Sequence, residues 1–195
     1  YTGGLNLSGQ NGITNLDGLQ YFTAITSLDL HGMGLTSVSI DKKISSDQIL
    51  SLDLSHNNLK IVSLDKFPAL VSLDVSYNYL TKIDLTHNNS LDVLYLDSND
   101  LTYIDLSSNT SLDIVSLRKN KLTAFNFAGL TELRSLDLSS NDLTSADLSS
   151  LTALVSLDIS YNKLSWLNVS SDRTSSIGHF EAGHQRPVTL AEWNY

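Results

Sequence analysis

The strongest constraint on the fold of this chain is a sequence motif that recurs at a fixed interval of 21 residues. Five consecutive copies begin at Leu70, Leu91, Leu112, Leu133 and Leu154. An asparagine recurs in the same register, at Asn57, Asn78, Asn99, Asn120, Asn141 and Asn162. Such self-similarity predicts an array of units that each stack on their neighbours, so that residues one repeat apart lie above one another.

Each copy of the motif reads LxxLxLxxNxL, which is the pattern typical of leucine-rich repeats. The LxL core places two apolar side chains on one side of a short strand and exposes the residue between them. One strand cannot bury that apolar side alone, so the copies are expected to stack about 4.8 Å apart into a parallel sheet. The asparagine amide can bond backbone groups of its own and the adjacent turn, which gives it a scaffold role.

The second half of each repeat also alternates between apolar and polar residues with a period of two. One apolar column contains Val38, Val62, Ile83, Ile104, Phe125, Ala146 and Leu167, and a second contains Ile40, Leu64, Leu85, Leu106, Phe127, Leu148 and Val169. This pattern predicts an extended or 3-10 convex side with a low helix content, behind a parallel β-sheet on the concave side.

The repeats define a single leucine-rich-repeat domain over residues 1–195, with about nine turns. Residues 1–24 form a truncated first turn, 25–169 the regular repeats, and 170–195 the last turn and a C-terminal cap. Ile177, Phe180, Ala182 and Gln185 fit the motif in the last turn, after two extra residues. The stretch Arg186–Tyr195 is expected to cover the open edge of the array, as terminal turns must.

Composition limits the classes of partner. The chain has 21 acidic and 12 basic residues, a net charge of −9, so we expect no nucleic-acid ligand, because phosphate binding relies on Lys and Arg. No apolar run reaches the roughly 18 residues needed to span a bilayer, so we expect no membrane insertion. The sequence contains no cysteine, no GxSxG elbow, no P-loop and no HExxH motif. We therefore expect a binding module without a cofactor rather than an enzyme.

Two stretches resemble the bacterial surface leucine-rich-repeat proteins of the internalin type. ITNLDGLQYFTAITSLDL (Ile13–Leu30) is similar to the first internalin repeats, and LTxIDLSxNxSLDxL (Leu80–Leu94 and Leu101–Val115) to the subclass with 21-residue repeats. A cysteine often occupies one strand core position in that subclass; here Leu96, Leu117, Leu138 and Ile159 do. The resemblance implies a secreted or cell-surface bacterial adhesion module that binds a host or neighbouring-cell protein through its concave face. We expect it to be a monomer.

Two central turns break the Ser/Asp pattern that the other exposed strand positions share. They carry apolar, aromatic and cationic residues instead, and Tyr77 adjoins them from the preceding turn. Because Tyr and Arg are enriched at binding hot spots, we predict a ligand-binding site here. We call this set the central patch: Tyr77, Val93, Tyr95, Asp97, Ile114, Arg118 and Lys119. The alternative is that the apolar residues merely stabilise neighbouring strands and the cations pair with acidic residues.

Other interpretations of the exposed residues stay open. The aspartates Asp29, Asp53 and Asp74 would lie about 5 Å apart on adjacent strands, where their repulsion has to be offset. Hydrogen bonds from the neighbouring serines could do this, and so could a bridging divalent cation such as calcium. His179, Glu181 and His184 form an HxExxH pattern that could hold a metal ion. The chain could also be a structural spacer, or bind carbohydrate through Tyr77, Tyr95 or Tyr161.

Overall fold

The computed structural model describes residues 3–10, 12–13, 16, 18–38, 46–169 and 177–185. Its strands are β1 (Gly3–Asn6), β2 (Ile25–Asp29), β3 (Ser51–Asp53), β4 (Ser72–Asp74), β5 (Val93–Tyr95), β6 (Ile114–Ser116), β7 (Ser135–Asp137), β8 (Ser145–Asp147), β9 (Ser156–Asp158), β10 (Trp166–Asn168) and β11 (His179–Glu181). Two 3-10 turns, Leu19–Tyr21 and Ser46–Gln48, are the helical elements of the described residues.

Nine strands form one parallel sheet, in the order β1-β2-β3-β4-β5-β6-β7-β9-β11. Register follows the repeat without a slip from β2 to β11: Leu73 pairs with Leu94, Leu94 with Val115, and Leu136 with Leu157. The predicted leucine-rich-repeat solenoid, with its parallel sheet and low helix content, is therefore confirmed.

The core lies behind this sheet and runs through the whole described array. From β2 to β9 the strand leucines and the leucine that ends each motif are buried in one continuous cluster, together with most described residues of the apolar columns of the second half-repeat. Val38, Ile83, Phe125 and Val169 of those columns are partly buried and pack against this cluster. The last strand departs from this pattern, because Phe180 of β11 is 41% exposed although it occupies a core position of the motif. It stands at the end of the sheet, beyond which no described strand follows. The predicted cap over 186–195 lies outside the described residues.

The recurring asparagines form a ladder that joins consecutive turns. Asn78 is representative: its amide nitrogen donates to the carbonyl oxygens of Val75 at 3.1 Å and of Leu54 in the preceding turn at 3.0 Å. Its side-chain oxygen accepts the backbone N–H of Leu59, at 2.9 Å. In the last turn Gln185 takes the same place and accepts from Leu164. The predicted scaffold role of this column is therefore observed bond by bond.

A second, shorter asparagine ladder on the back of the solenoid was not anticipated. Asn88 and Asn109 are fully buried. Asn88 donates to the carbonyl of Phe67 at 2.8 Å, and Asn109 to the carbonyl of Asn88 at 2.9 Å. Unlike the first ladder, the side-chain oxygens of both residues lack a hydrogen-bond partner.

The back of the solenoid is extended, as the alternation predicted. β8 and β10 pair there in parallel as a second, two-stranded sheet, with Leu167 opposite Ala146. No described helix is long and apolar enough to cross a membrane. We call the solvent-facing side of the nine-stranded sheet the strand face, and the opposite side of the solenoid the back face.

Candidate functional site on the strand face

A short local motif shapes most of the strand face. At the end of a strand an aspartate accepts a hydrogen bond from the backbone N–H two residues later, as Asp53 does from Ser55 at 2.8 Å. Asp74, Asp137 and Asp158 repeat this bond with Ser76, Ser139 and Ser160. The aspartate column is therefore hydrogen-bonded scaffold, which is one of the readings left open by the sequence.

The stacking of these carboxylates has an electrostatic cost. Asp74 pairs in register with Asp53 on the neighbouring strand. Burial, and to a smaller extent the charge of Asp53, raise the pKa of Asp74, against the hydrogen bonds from Ser76. The ionised form of Asp74 is thus less stable in the folded protein than in water.

The two central turns interrupt the aspartate column and so reduce the repulsion between its carboxylates. β5 and β6 carry Tyr95 and Ser116 where the neighbouring strands carry aspartate, and Tyr95 lies opposite Asp74. Val93 and Ile114 face each other in register, and both remain partly exposed on the strand face. The structure therefore brings the apolar residues of the central patch together beside an aromatic ring.

In other turns the aspartate at the end of the strand accepts the backbone N–H two residues later, as Asp137 does from Ser139. Ser116 stands at that position in β6, and Asp97 of the preceding turn accepts this N–H instead. Its carboxylate accepts the backbone N–H of Arg118 at 2.9 Å and the hydroxyl of Ser116. Burial and the nearby charges of Asp137 and Asp74 raise its pKa, although both hydrogen bonds favour the ionised form. Asp97 thus orients the turn that carries Arg118, so within the central patch it acts first as a positioning residue.

Arg118 and Lys119 are exposed beside these residues. Salt bridges elsewhere link Lys66 to Asp65, Lys121 to Asp100, Arg134 to Asp113 and Lys163 to Asp142. Neither cation of the central patch forms such a bridge within the described part of the chain. Among the described residues, no salt bridge supports the alternative that these cations pair with the acidic column.

An aromatic row extends outwards from Tyr77 of the central patch, and the repeat pattern does not predict it. Tyr77, 48% exposed, stacks on His56 with ring centroids 4.2 Å apart, and His56 lies 4.8 Å from His31. His56, Tyr77 and Lys119 share a left-handed backbone near φ 55°, which turns their side chains out along one edge of the sheet. Gly9 and Gly32, also with positive φ, occupy this column in earlier turns. Because glycine is favoured at positive φ, these two residues are the sequence feature that could have indicated the left-handed backbone here.

The HxExxH pattern does not form a compact cluster. His179 and Glu181 lie at the two ends of β11, opposite Ser156 and Asp158. His184 follows in the next turn and stacks on Tyr161, with centroids 4.7 Å apart. Across the residues that the structure describes, no three His, Asp or Glu side chains converge in a way that could hold a metal ion.

Comparisons with known proteins agree with this architecture. The leucine-rich-repeat family model matches residues 110–164. The functional domain of InlJ from Listeria monocytogenes, described as including a cysteine ladder, matches with 25% identity and a TM-score of 0.71, over 92% of this chain and 44% of that one. A leucine-rich-repeat protein of Leptospira interrogans matches with 22% identity and a TM-score of 0.82, over 93% and 55%. A comparison with curated protein sequences found no match.

A third structure, the leucine-rich-repeat domain of APL1B, matches with 23% identity and a TM-score of 0.69, over 93% of this chain and 63% of that one. This chain therefore spans less than two thirds of the length of each of these three structures.

Fold, repeat and family model together define the chain as a leucine-rich-repeat protein. Proteins of this class generally bind other proteins and are typically not enzymes. In its 21-residue repeat and in its likeness to InlJ, the chain is similar to bacterial leucine-rich-repeat proteins of the internalin type. This chain contains no cysteine, and one column of its core consists of the fully buried Leu96, Leu117, Leu138 and Ile159.

Proposed function

We propose that this chain is an extracellular adhesion module that binds a protein of a host or neighbouring cell through the central patch. The observation that carries the proposal is that Arg118 and Lys119 form no salt bridge with any described residue and lie beside the partly exposed Val93 and Ile114. A folded protein gains little from exposing apolar side chains next to unpaired charge, whereas an interface can use both. The module would act as a monomer, secreted or held at the cell surface.

The surroundings of the patch indicate what kind of surface would fit. Acidic side chains flank it on both sides, with Asp53 and Asp74 before it and Asp137 and Asp158 after it. A complementary partner would place an acidic group opposite Arg118, apolar or aromatic side chains opposite Val93 and Ile114, and basic residues at the periphery. The row of Tyr77 and His56 would extend the contact along one edge.

The test is capture from host-cell and bacterial-surface extracts with four forms of the purified chain. Wild type and Lys121→Ala should retain the same proteins, because Lys121 is exposed, already paired with Asp100 and outside the patch. Tyr95→Ala and Arg118→Ala should each reduce the retained amount at least tenfold, since hot-spot truncations cost about 2 kcal/mol or more.

Thermal unfolding of the same four proteins provides the control for folding. Arg118 is exposed and Tyr95 partly exposed, so their truncation should leave the melting temperature nearly unchanged. If the two patch variants retain the extract proteins as well as Lys121→Ala does, the central patch is not the binding site. If wild type retains nothing specific, the chain is better explained as a structural spacer.

A further inference from the structure

A groove on the back face, opposite the central patch, has a composition suited to a small ligand. It has a volume of about 380 Å³ and lies over the second sheet. The residues that matter for its chemistry are Ala124, Phe125, Asn126, Ser145, Asp147 and Trp166. We call it the back groove. A volume of this order suits a small molecule better than a protein surface.

One wall of the back groove is formed by the indole ring of Trp166. Trp166 is 46% exposed and lies in register with Ser145 on the paired strand. Ala124 occupies the same position one repeat before Ser145, so the two turns that precede Trp166 carry small side chains in this column. No ring of the described residues stacks on Trp166.

The floor is formed by a second ring. Phe125 is partly buried and held by an edge contact with Phe127, with centroids 4.9 Å apart. Phe125 and Trp166 belong to turns two repeats apart, and so lie roughly 10 Å from each other along the solenoid. Two linked sugar rings span that distance.

Fixed hydrogen-bonding groups line the side of the groove. One oxygen of Asp147 accepts from the backbone of Ser149 at 3.0 Å and from the amide of Asn168 at 3.1 Å, and the Ser149 side chain also bonds the carboxylate. Because a carboxylate offers about four acceptor positions, Asp147 can still accept a hydrogen bond from a ligand. One turn earlier, the side-chain oxygen of Asn126 accepts from Ala128, and its amide hydrogens remain available. An acceptor and a donor about 4.8 Å apart match adjacent hydroxyl groups, each of which can donate and accept.

The charge of the lining selects among ligand classes. Among the described residues that line the back groove, Asp147 is the one that carries a charge, and hydrogen bonds from Ser149 lower its pKa, so it stays ionised at neutral pH. An anionic ligand would meet this carboxylate without a compensating cation. A neighbouring groove on the same face, by contrast, is lined by Asp65, Lys82, Asp84 and His87. The back groove instead offers two rings, serine hydroxyls and an amide, which favour a neutral polyhydroxylated ligand.

We propose that the back groove binds a neutral saccharide of about two sugar units. The apolar face of one ring packs on Trp166 and the next lies over Phe125. Asp147 accepts hydrogen bonds from the sugar hydroxyls, and the amide of Asn126 donates to them. This site is separate from the protein-binding surface on the strand face, and each can be tested without the other.

The experiment is a titration of the whole chain with maltose, cellobiose, lactose and diacetylchitobiose, followed by saturation-transfer NMR. At least one disaccharide should bind with a Kd in the millimolar range. Trp166→Ala should weaken that binding at least tenfold, and Trp166→Phe should restore part of it. Tyr79→Ala, which removes an exposed ring remote from the back groove, should bind like wild type.

Asn126→Asp separates a saccharide from a cationic ligand. The aspartate keeps the oxygen that accepts from Ala128 but loses the donating amide and adds a negative charge. Saccharide binding should weaken at least threefold, whereas choline and arginine methyl ester, used as cationic probes, would bind more tightly if the groove were a cation site. The proposal is overturned if no disaccharide binds at a concentration of about 20 mM, if Trp166→Ala binds as well as wild type, or if only the cationic probes bind.

Discussion

On both faces of this solenoid an aspartate accepts a hydrogen bond from the backbone N–H of a serine or threonine two residues later. The environments of these aspartates differ between the two faces. On the back face Asp84 and Asp105 are solvated, and hydrogen bonds from Thr86 and Ser107 lower their pKa values. On the strand face the pKa of Asp74 is raised, chiefly by burial. The local bond is the same in both cases, so the stacked strands decide whether the charge is favourable.

Asp74→Asn should therefore stabilise the protein at neutral pH. Asparagine keeps the oxygen that accepts from Ser76, as Asn6 shows by accepting the backbone N–H of Ser8 at 2.8 Å. Removing a like charge opposite Asp53 should raise the free energy of unfolding by roughly 0.2–1 kcal/mol. Urea unfolding at pH 7 measures the difference, and a less stable variant would show that the charge of Asp74 is favourable.

The pH dependence provides a second check on the same variant. Because folding raises the pKa of Asp74, this group contributes stability below its ordinary value of 3.8, and that contribution is lost as pH rises through the folded pKa. The advantage of Asp74→Asn should thus shrink as pH falls from 7 towards 4. Asp105→Asn is the matched control: the pKa of Asp105 is lowered, so its replacement should bring no gain at pH 7.

At the scale of the structural element, the two asparagine ladders differ in how completely they are bonded. Asn99 donates to the carbonyls of Val75 at 3.0 Å and Leu96 at 3.1 Å, and accepts from Leu80 at 2.9 Å. Asn109 donates to the carbonyls of Leu85 and Asn88, but its own oxygen has no partner. A truncation at Asn99 therefore orphans a buried N–H that a truncation at Asn109 does not.

Asn99→Ala should accordingly destabilise the protein more than Asn109→Ala. The extra cost is that of one buried, unpaired N–H group, about 1–3 kcal/mol. Urea midpoints of the two variants measure it, and amide exchange should place the fastest opening of Asn99→Ala at Leu80 and its neighbours. Equal midpoints would contradict the prediction, because they would mean that the hydrogen bond from Leu80 to Asn99 adds nothing measurable to the stability.

The two ladders also show what the sequence can and cannot predict. The strand register and the first ladder follow from a motif with one spacing and many copies. The second ladder has two rungs, at Asn88 and Asn109, between Phe67 and Leu130 in the same column, so no periodic signal marks it. The central patch was found because it breaks a repeat. The hydrogen bonds from Ser116 and Arg118 to Asp97 were not predicted, because they join different motif positions on adjacent turns.

The ring stack on the edge of the sheet was missed for a related reason. His31 and His56 occupy different motif positions and therefore do not belong to one column. Their rings still come within 4.8 Å, because His56 has the left-handed backbone of its turn. Side chains that meet across columns depend on local dihedral angles, which a repeat alignment does not encode.

On the scale of the whole molecule, each described strand pairs only with strands of the adjacent turns. The nine strands pair in sequence, and the second sheet joins only β8 and β10. The stability of such an array is approximately a sum of terms for single turns and for adjacent pairs. A disturbance at one turn should therefore be felt by the next and fade beyond it.

Pairs of leucine truncations test this directly. Leu73 and Leu94 lie opposite each other on adjacent strands, whereas Leu94 and Leu157 are separated by three strand steps, roughly 14 Å. All three are fully buried, and each Leu→Val change should cost about 1 kcal/mol. Unfolding free energies of Leu94→Val with Leu157→Val should add to within about 0.5 kcal/mol. Those of Leu73→Val with Leu94→Val should deviate from additivity by more, because the two sites share one packing interface. If the distant pair were coupled as strongly as the adjacent pair, the array would behave as a single cooperative unit, and the two faces could not then be treated as independent binding surfaces.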